Sequence, residues 1–413
     1  MKLKKYKFEE LIDVTRGQSL SGEYYATEGK YIRLTCGNFD YNNNCFKENT
    51  SKDNLFFTGT IKPEFIMEKG DIITPLTEQA IGLLGSTAII PESDKYIQSQ
   101  DVAKIICKED KLDHGFAYYL ISSKLVKEQL SVAAQQTKIR HTSPDKIKDC
   151  TVWIPDMENQ RRIAHVLSTL DRKISLNRSM NAELERMAKE IYDYWFVQFE
   201  FPDEHGRPYK SSGGAMVYNP VLKREVPEGW EVVKLIDIAN ITMGQSPDGS
   251  SYNEDGDGII FYQGSTDFGM RFPDIRKYTT APTRYASKGD ILMSVRAPVG
   301  AVNIANNDCC IGRGLAALNS KIGSQSHLFY VIADLKTAFD QRNAAGTTFG
   351  SITKDDLYSL PVVKPSNDVI SSFEKLCSPI FDRLMLLGEE TVELTNKRDE
   401  LLPLLMTGQV KIK

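Results

Sequence analysis

The chain repeats itself. Leu11-Ile12-Asp13-Val14 recurs as Leu235-Ile236-Asp237-Ile238, and Gly17-Gln18-Ser19 recurs as Gly244-Gln245-Ser246. The first pair is offset by 224 residues and the second by 227, which reads as a three-residue insertion between them. Lys69-Gly70-Asp71-Ile72 returns as Lys288-Gly289-Asp290-Ile291, and Pro155 as Pro365. A repeat of about half a chain fixes the architecture before other considerations. It predicts two similar domains in one polypeptide, related by an approximate two-fold axis. Such a protein suits a partner that is itself nearly two-fold symmetric.

Each copy ends in a long helical pattern. Ile163, Leu167, Leu170, Ile174, Asn177, Asn181, Leu184, Ala188, Ile191 and Trp195 advance by steps of 4 and 3. Adding 210 to each gives Phe373, Cys377, Ile380, Leu384, Leu387, Thr391, Leu394, Arg398, Leu401 and Leu405, without a gap. That alternation is a 3.5-residue period, the mark of a coiled-coil seam. Such a helix is about 55 Å long at 1.5 Å rise. With a single apolar stripe it needs a partner. The simplest is its own copy, packed antiparallel. Asn177, Asn181 and Thr391 make the middle of the seam polar. They are expected to set register; the alternative is that they face solvent. Pro379 is expected to kink the second helix or mark its first turn, and Pro403 to end it early.

The remainder of each copy is punctuated by Gly, Asn, Asp and Pro, with short runs such as Val102-Ala103-Lys104-Ile105-Ile106 and Ala301-Val302-Asn303-Ile304. Short strands with frequent turns predict a compact mixed sheet. One helix is expected over 116–129 and another over 327–339. Pro and Gly crowd 201–214, as in a linker. The fold class is therefore α+β, with tandem α/β domains each followed by a long helix. The expected division is 1–155 for the first domain, 156–199 for its helix, 200–227 for the linker, 228–365 for the second domain and 366–413 for the last helix.

Chemistry is sparse. There is no GxxxxGK[ST] phosphate loop, no GxSxG elbow and no HExxH. Gly312-Arg313-Gly314 reads as a tight turn. Asp255, Asp257 and Asp355-Asp356 read as solvated turns or caps. The seven cysteines include no CxxC pair, which suits reduced intracellular thiols. No apolar run is long enough to span a membrane. A net charge of −4 counts mildly against non-specific coating of nucleic acid, yet allows local basic surfaces. Two repeats without a catalytic constellation suggest recognition. Glutamine reads adenine edges, Arg and Lys read guanine or grip phosphate, and Ser and Thr bond either. Ordinary surface loops would look the same.

The motifs resemble a family. Pro227-Glu228-Gly229-Trp230, followed by Leu235-Ile236-Asp237-Ile238, is similar to the opening of a target-recognition domain, with Tyr6 where Trp230 stands. Ser294-Val295-Arg296-Ala297-Pro298-Val299-Gly300 and Cys310-Ile311-Gly312-Arg313-Gly314-Leu315 match a pattern of the second such domain. Ile154-Pro155-Asp156-Met157-Glu158-Asn159-Gln160-Arg161-Arg162-Ile163 resembles the Pro-x-x-x-x-Gln-x-x-Ile entry to a spacer helix. The second copy departs, with Ile370 where Gln160 stands. Over essentially its whole length the chain resembles the specificity subunit of a bacterial type I restriction–modification enzyme.

That resemblance implies two target-recognition domains, each reading one half of a split, asymmetric sequence in double-stranded DNA. The long helices, packed as an antiparallel coiled coil with pseudo-two-fold symmetry, set the unread gap. Two methyltransferase subunits and two restriction–motor subunits dock, and they carry S-adenosylmethionine, ATP and Mg. This chain would carry no cofactor and no catalytic residue, and would be cytoplasmic. The candidate DNA contacts are Gln18, Ser19, Lys138 and Arg140 in the first domain. In the second they are Gln245, Ser246, Arg296, Thr347 and Thr348. Arg296 has an internal ion pair as its alternative. Arg161, Arg162 and Arg178 could face phosphate, a partner subunit or solvent. The competing readings are the recognition subunit of a combined cleavage–methylation enzyme, a coiled-coil scaffold that does not bind DNA, and a stand-alone nuclease or transferase.

Overall fold

A computed structural model describes residues 1–78, 82–133, 140–344 and 350–412. They form two compact units, Met1–Ile174 with Glu393–Lys413, and Ser175–Val392. The division falls inside both long helices.

In the first unit a four-stranded antiparallel sheet has the order Ala88–Ile89, Ile72–Pro75, Val102–Cys107, Ile12–Arg16. A second sheet runs Tyr96–Ile97, Tyr31–Arg33, Phe56–Phe57, Tyr25–Ala26, its first pair parallel. Lys4–Lys7 pairs with Thr151–Ile154, tying the start of the chain to the entrance of the first long helix. Phe8, Leu11, Ile12, Ile72, Phe116 and Ile163 share one core.

The second unit has the same plan. Its antiparallel sheet runs Val302–Ile304, Ile291–Ser294, Leu315–Ser320, Ala239–Met243. Its other sheet contains Cys309–Ile311, Ile259–Tyr262, Tyr278–Thr279 and Tyr252–Asn253 in the corresponding order, with Tyr285–Ala286 added at the edge. Glu231–Lys234 pairs with Pro361–Lys364. The segment read as a linker is ordered. Met216–Asn219 and Arg224–Pro227 form a hairpin, and Phe201 stacks on Tyr209 and Trp230 at 4.6 and 4.8 Å.

The duplicated Lys-Gly-Asp-Ile is a turn that launches a strand. Gly70 and Gly289 take φ of +98° and +92°, where a side chain is strained. Asp71 accepts from the Glu68 amide at 2.9 Å, and Asp290 from the Ser287 amide at 2.9 Å. Each carboxylate thus closes its own turn.

The Leu-Ile-Asp match proves to be out of register. Lys7 N donates to Glu10 at 2.8 Å, and Lys234 N to Asp237 at 2.9 Å. These equivalent carboxylate caps are 227 residues apart, as are the strands Ile12–Arg16 and Ala239–Met243 that follow. Phe8–Leu11 therefore corresponds to Leu235–Ile238, the three-residue insertion disappears, and Trp230 corresponds to Leu3 rather than Tyr6. Along the antiparallel sheet the offset then falls from 227 to 219 and 213, and it reaches 210 at the strand before the helix.

The helix expected over 116–129 is two helices, His114–Ile121 and Lys124–Ala133. Ser122 turns its hydroxyl back onto the Tyr118 and Tyr119 carbonyls, both at 3.2 Å, and the Ser123 carbonyl starts the next helix by accepting from Lys127 N at 3.0 Å. The helix expected over 327–339 is Gln325–Ala344, begun earlier because Ser324 Oγ accepts from His327 N at 3.2 Å.

The long helices are Met157–Tyr192 and Asn367–Met406. Every seam position is buried or half-buried, and the two patterns agree position by position at the 210 offset. In the second unit Asn177 meets Glu390, and further on Trp195 meets Phe373, so the contacting partners run in opposite directions. In the first unit Arg398 bonds Asp171 at 3.1 Å, and Leu405 joins the core of Ile163 and Leu167. Asn177, Asn181 and Thr391 are buried, not solvent-facing. Pro379 does not mark the first turn and Pro403 does not end the second helix, which runs through both from Asn367 to Met406. Both are exposed, so water is available to the carbonyl each leaves unpaired one turn back. Gly408, at φ +72°, ends the helix instead.

The helix entrances are fastened differently. Gln160 accepts from Asp113 N at 2.8 Å and donates to the Lys111 and Pro155 carbonyls at 3.0 and 2.9 Å. Ile370 cannot do this. One turn later Glu374 accepts from the hydroxyls of Ser324 and Ser326.

Candidate nucleic-acid interface

Both copies of Gly-Gln-Ser sit at the same bend, directly after the edge strand of the antiparallel sheet. A Cβ on Gly17 would lie 2.3 Å from the Gln98 carbonyl oxygen, and one on Gly244 would lie 2.2 Å from that of Gly312. Only glycine fits so close a backbone crossing. Three residues beyond each serine stands another glycine, Gly22 or Gly249, opening a one-turn 3₁₀ helix. Tyr25 and Tyr252 then close the loops, donating to the Leu20 and Pro247 carbonyls at 3.1 and 3.0 Å. The repeated unit is thus Gly-Gln-Ser-x-x-Gly-x-x-Tyr. The second glycine and the tyrosine hold the same 227 offset, a signal present in the sequence and missed there.

In the first unit the loop is braced from within. Gln18 Nε2 donates to the Thr60 carbonyl at 3.0 Å, and Gln18 Oε1 accepts from Lys62 N at 3.4 Å. Its amide is therefore spent on holding the neighbouring loop. Ser19 is exposed beside a groove of about 510 Å³ lined also by Ser21, Tyr24, Phe57 and Thr60. The Arg33 guanidinium stacks 3.9 Å from the Tyr25 ring centre. Arg140 lies in a short backbone pairing of Arg140–His141 with Thr77–Glu78. Lys138 lies outside the described residues.

The second loop is held by its backbone instead. Gln245 N donates to the Ile311 carbonyl at 3.0 Å, and the Gln245 carbonyl accepts from the Thr283 hydroxyl. The Gln245 side chain is left exposed. Ser246 Oγ accepts from Arg313 N at 3.3 Å. Ile311 N donates to the Arg284 carbonyl at 2.9 Å, and Val295 N to that of Gly314 at 2.9 Å, placing Arg284 and Arg296 on adjoining segments. Arg284, Arg296 and Arg313 are all exposed. A Cβ on Gly312 or Gly314 would come within 3.0 or 2.7 Å of the Gln263 carbonyl oxygen, so the glycines allow the tight turn that carries Arg313. Among the described residues no carboxylate pairs with Arg296, so the expected alternative of an internal ion pair is not found there. Thr347 and Thr348 lie outside the described residues.

At the entrance of the first long helix both arginines have carboxylates nearby. Arg162 pairs with Glu158 at 2.6 Å and Arg161 approaches Asp113 at 3.9 Å. Among the described residues no group of His, Cys, Asp and Glu has the arrangement of a metal site. Burial pushes the Cys36 thiol up to about 11 and the Cys107 thiol to about 12, which makes them poor nucleophiles. No described helix is long and apolar enough to cross a membrane.

The sequence matches the family model of the type I restriction modification DNA specificity domain twice, over residues 2–186 and 227–400. It is 32% identical to a putative type I restriction enzyme MjaX specificity subunit of Methanocaldococcus jannaschii, over 74% of this chain and 70% of that protein. The HindI specificity subunit of Haemophilus influenzae is 20% identical, over 77% of this chain and 81% of its own. The fold is similar to the crystal structure of the type I restriction–modification S subunit from M. genitalium, with a TM-score of 0.62 and 18% identity, covering 98% of this chain and 96% of that one.

Proposed function

Since the chain belongs to the type I restriction–modification DNA specificity family, we propose that it is the subunit that reads a bipartite, asymmetric DNA target for such an enzyme. Each head, about 1–155 and 228–365, reads one half-site. The spacer helices, about 156–199 and 366–413, pair as an antiparallel coiled coil with pseudo-two-fold symmetry and set the gap, and 200–227 connects the copies. Methyltransferase and restriction–motor subunits, two of each, dock on this chain and bring S-adenosylmethionine, ATP and Mg. The chain has no catalytic step of its own and works in the cytoplasm.

One observation carries this reading. The seam keeps an identical burial pattern over both long helices at one fixed offset, while the heads share a topology and differ in length and loop chemistry. A constant spacer with two unlike heads suits an unread gap between unlike half-sites, since docked domains contact DNA about one helical turn apart. The candidate contacts Ser19, Lys138, Arg140, Gln245, Ser246, Arg296, Thr347 and Thr348 all belong to the heads, as does Gln18, whose amide is taken up by Thr60 and Lys62 within its own head. Methylation mapping of the host genome tests the proposal. A two-part adenine-methylated motif with a fixed gap should vanish when the gene is deleted. Survival of every such motif would sink the reading.

A further inference from the structure

We infer that the two duplicated glutamine loops have divided their work: Gln245 contacts a base edge between phosphate-gripping Arg284 and Arg313, whereas Gln18 is an internal brace. The inference rests on the DNA-reading proposal and assigns residues within it. Gln18 has both ends of its amide engaged, by Thr60 and Lys62. A side chain so occupied has no bidentate face to offer adenine. Gln245 is anchored through its main chain alone, and its exposed amide remains available for that pairing.

Both loops have cations nearby, but they are held differently: beside Gln18 the Arg16 guanidinium donates through Nε to the Gln100 carbonyl at 2.8 Å, whereas no side-chain bond is made by Arg284 or Arg313 among the described residues. Arg284 and Arg313 flank Gln245 through segments bonded to one another, Ile311 N to the Arg284 carbonyl and Arg313 N to Ser246 Oγ. Neither arginine has a carboxylate partner among the described residues. In the same unit Arg186 is neutralised by Glu183 and Glu190 at 2.9 and 2.6 Å and Arg207 by Asp203 at 2.9 Å, whereas Arg224, Arg276, Arg296 and Arg383 are, like Arg284 and Arg313, exposed with no carboxylate partner among the described residues. In the first unit the strand crossing under Gly17 carries Gln98-Ser99-Gln100 where the second carries Gly312-Arg313-Gly314. Two uncompensated cations around a free amide suit the combination of phosphate grip and base contact by which duplex DNA is read.

The test uses the full-length chain and a labelled 40-base-pair duplex of random sequence, titrated at several salt concentrations. Each phosphate contact contributes about 0.9 to the slope of log affinity against log salt. Arg284→Ala with Arg313→Ala should weaken binding at least about tenfold and flatten the slope by about 2, while Arg207→Ala changes neither. Lysine at both positions should keep the slope. In cells, Gln245→Ala should relax one position of one half-site in the methylated motif, and Gln18→Ala should leave the motif intact. An unaltered slope in the double alanine variant, a lysine pair that behaves like it, or a relaxed motif from Gln18→Ala overturns the assignment. No salt-sensitive binding by the unmodified chain overturns the DNA-reading proposal and the assignment with it.

Discussion

Asn177 Nδ2 donates to Glu390 Oε2 at 2.8 Å in the polar middle of the helix seam. One turn on, Asn181 is buried with no described residue bonded to either end of its amide. The two asparagines therefore predict opposite outcomes. Asn181→Leu removes an uncompensated polar group and should stabilise the chain by about 1–3 kcal/mol. Asn177→Leu takes a donor from Glu390 and should cost about the same. Thermal denaturation of both variants checks the contrast.

Alanine at either crossing glycine should be severe. At Gly17 and Gly244 the new methyl would sit within 2.3 Å of carbonyl oxygens that belong to backbone, not to a movable side chain. Each of Gly17→Ala and Gly244→Ala should destabilise by about 3 kcal/mol or more, at the upper end of overpacking costs. Urea midpoints measure this, and Gly249→Ala, whose Cβ meets open space, is the control.

His327 predicts a pH response. It lies 1% exposed among the rings of Tyr192, Phe196 and Phe373, and burial pushes its pKa down to about 3 from 6.5. The unfolded chain takes up a proton below 6.5 that the folded chain refuses until about 3. This contribution to stability is therefore complete above 6.5 and is lost progressively as pH falls toward 3, by about 1.4 kcal/mol per pH unit at most. His327→Leu should remove that slope, so the variant should lose less stability than the parent between pH 6 and 4. Urea titrations across that interval decide it.

Lengthening the spacer should lengthen the gap. Four residues inserted after Asn181 and four after Thr391 add about 6 Å of helix. Both half-sites should persist in the methylated motif while the gap grows by one or two base pairs, at about 3.4 Å each. An unchanged gap would remove the helices from the role of spacer.

The helix seam was legible because burial against a single partner imposes a period that needs no knowledge of the fold. All the positions read from the 4–3 steps, from Ile163 to Trp195 and from Phe373 to Leu405, are buried or half-buried. The register of the N-terminal repeat was not legible. Leu11-Ile12-Asp13 looks like Leu235-Ile236-Asp237, yet what repeats is a carboxylate three residues after a lysine amide, and Glu10 does that work as well as Asp237. Capping asks for an acceptor at a spacing, not for a residue identity. The same blindness applied to the loops. Gln18 and Gln245 are one letter in one motif, and only the position of Thr60, Lys62 and Thr283 around them separates a brace from a free amide.

The falling offset between the copies, from 227 at the first strands to 210 at the helices, has an evolutionary consequence. Every length difference is absorbed before Thr151–Ile154 and Pro361–Lys364, the strands from which the helices depart. An insertion or deletion in a loop upstream leaves each side chain of the seam facing its former neighbour. Loop lengths can drift between descendants with no mechanical penalty on the seam, whereas one residue gained within a helix would rotate everything after it by about 100°.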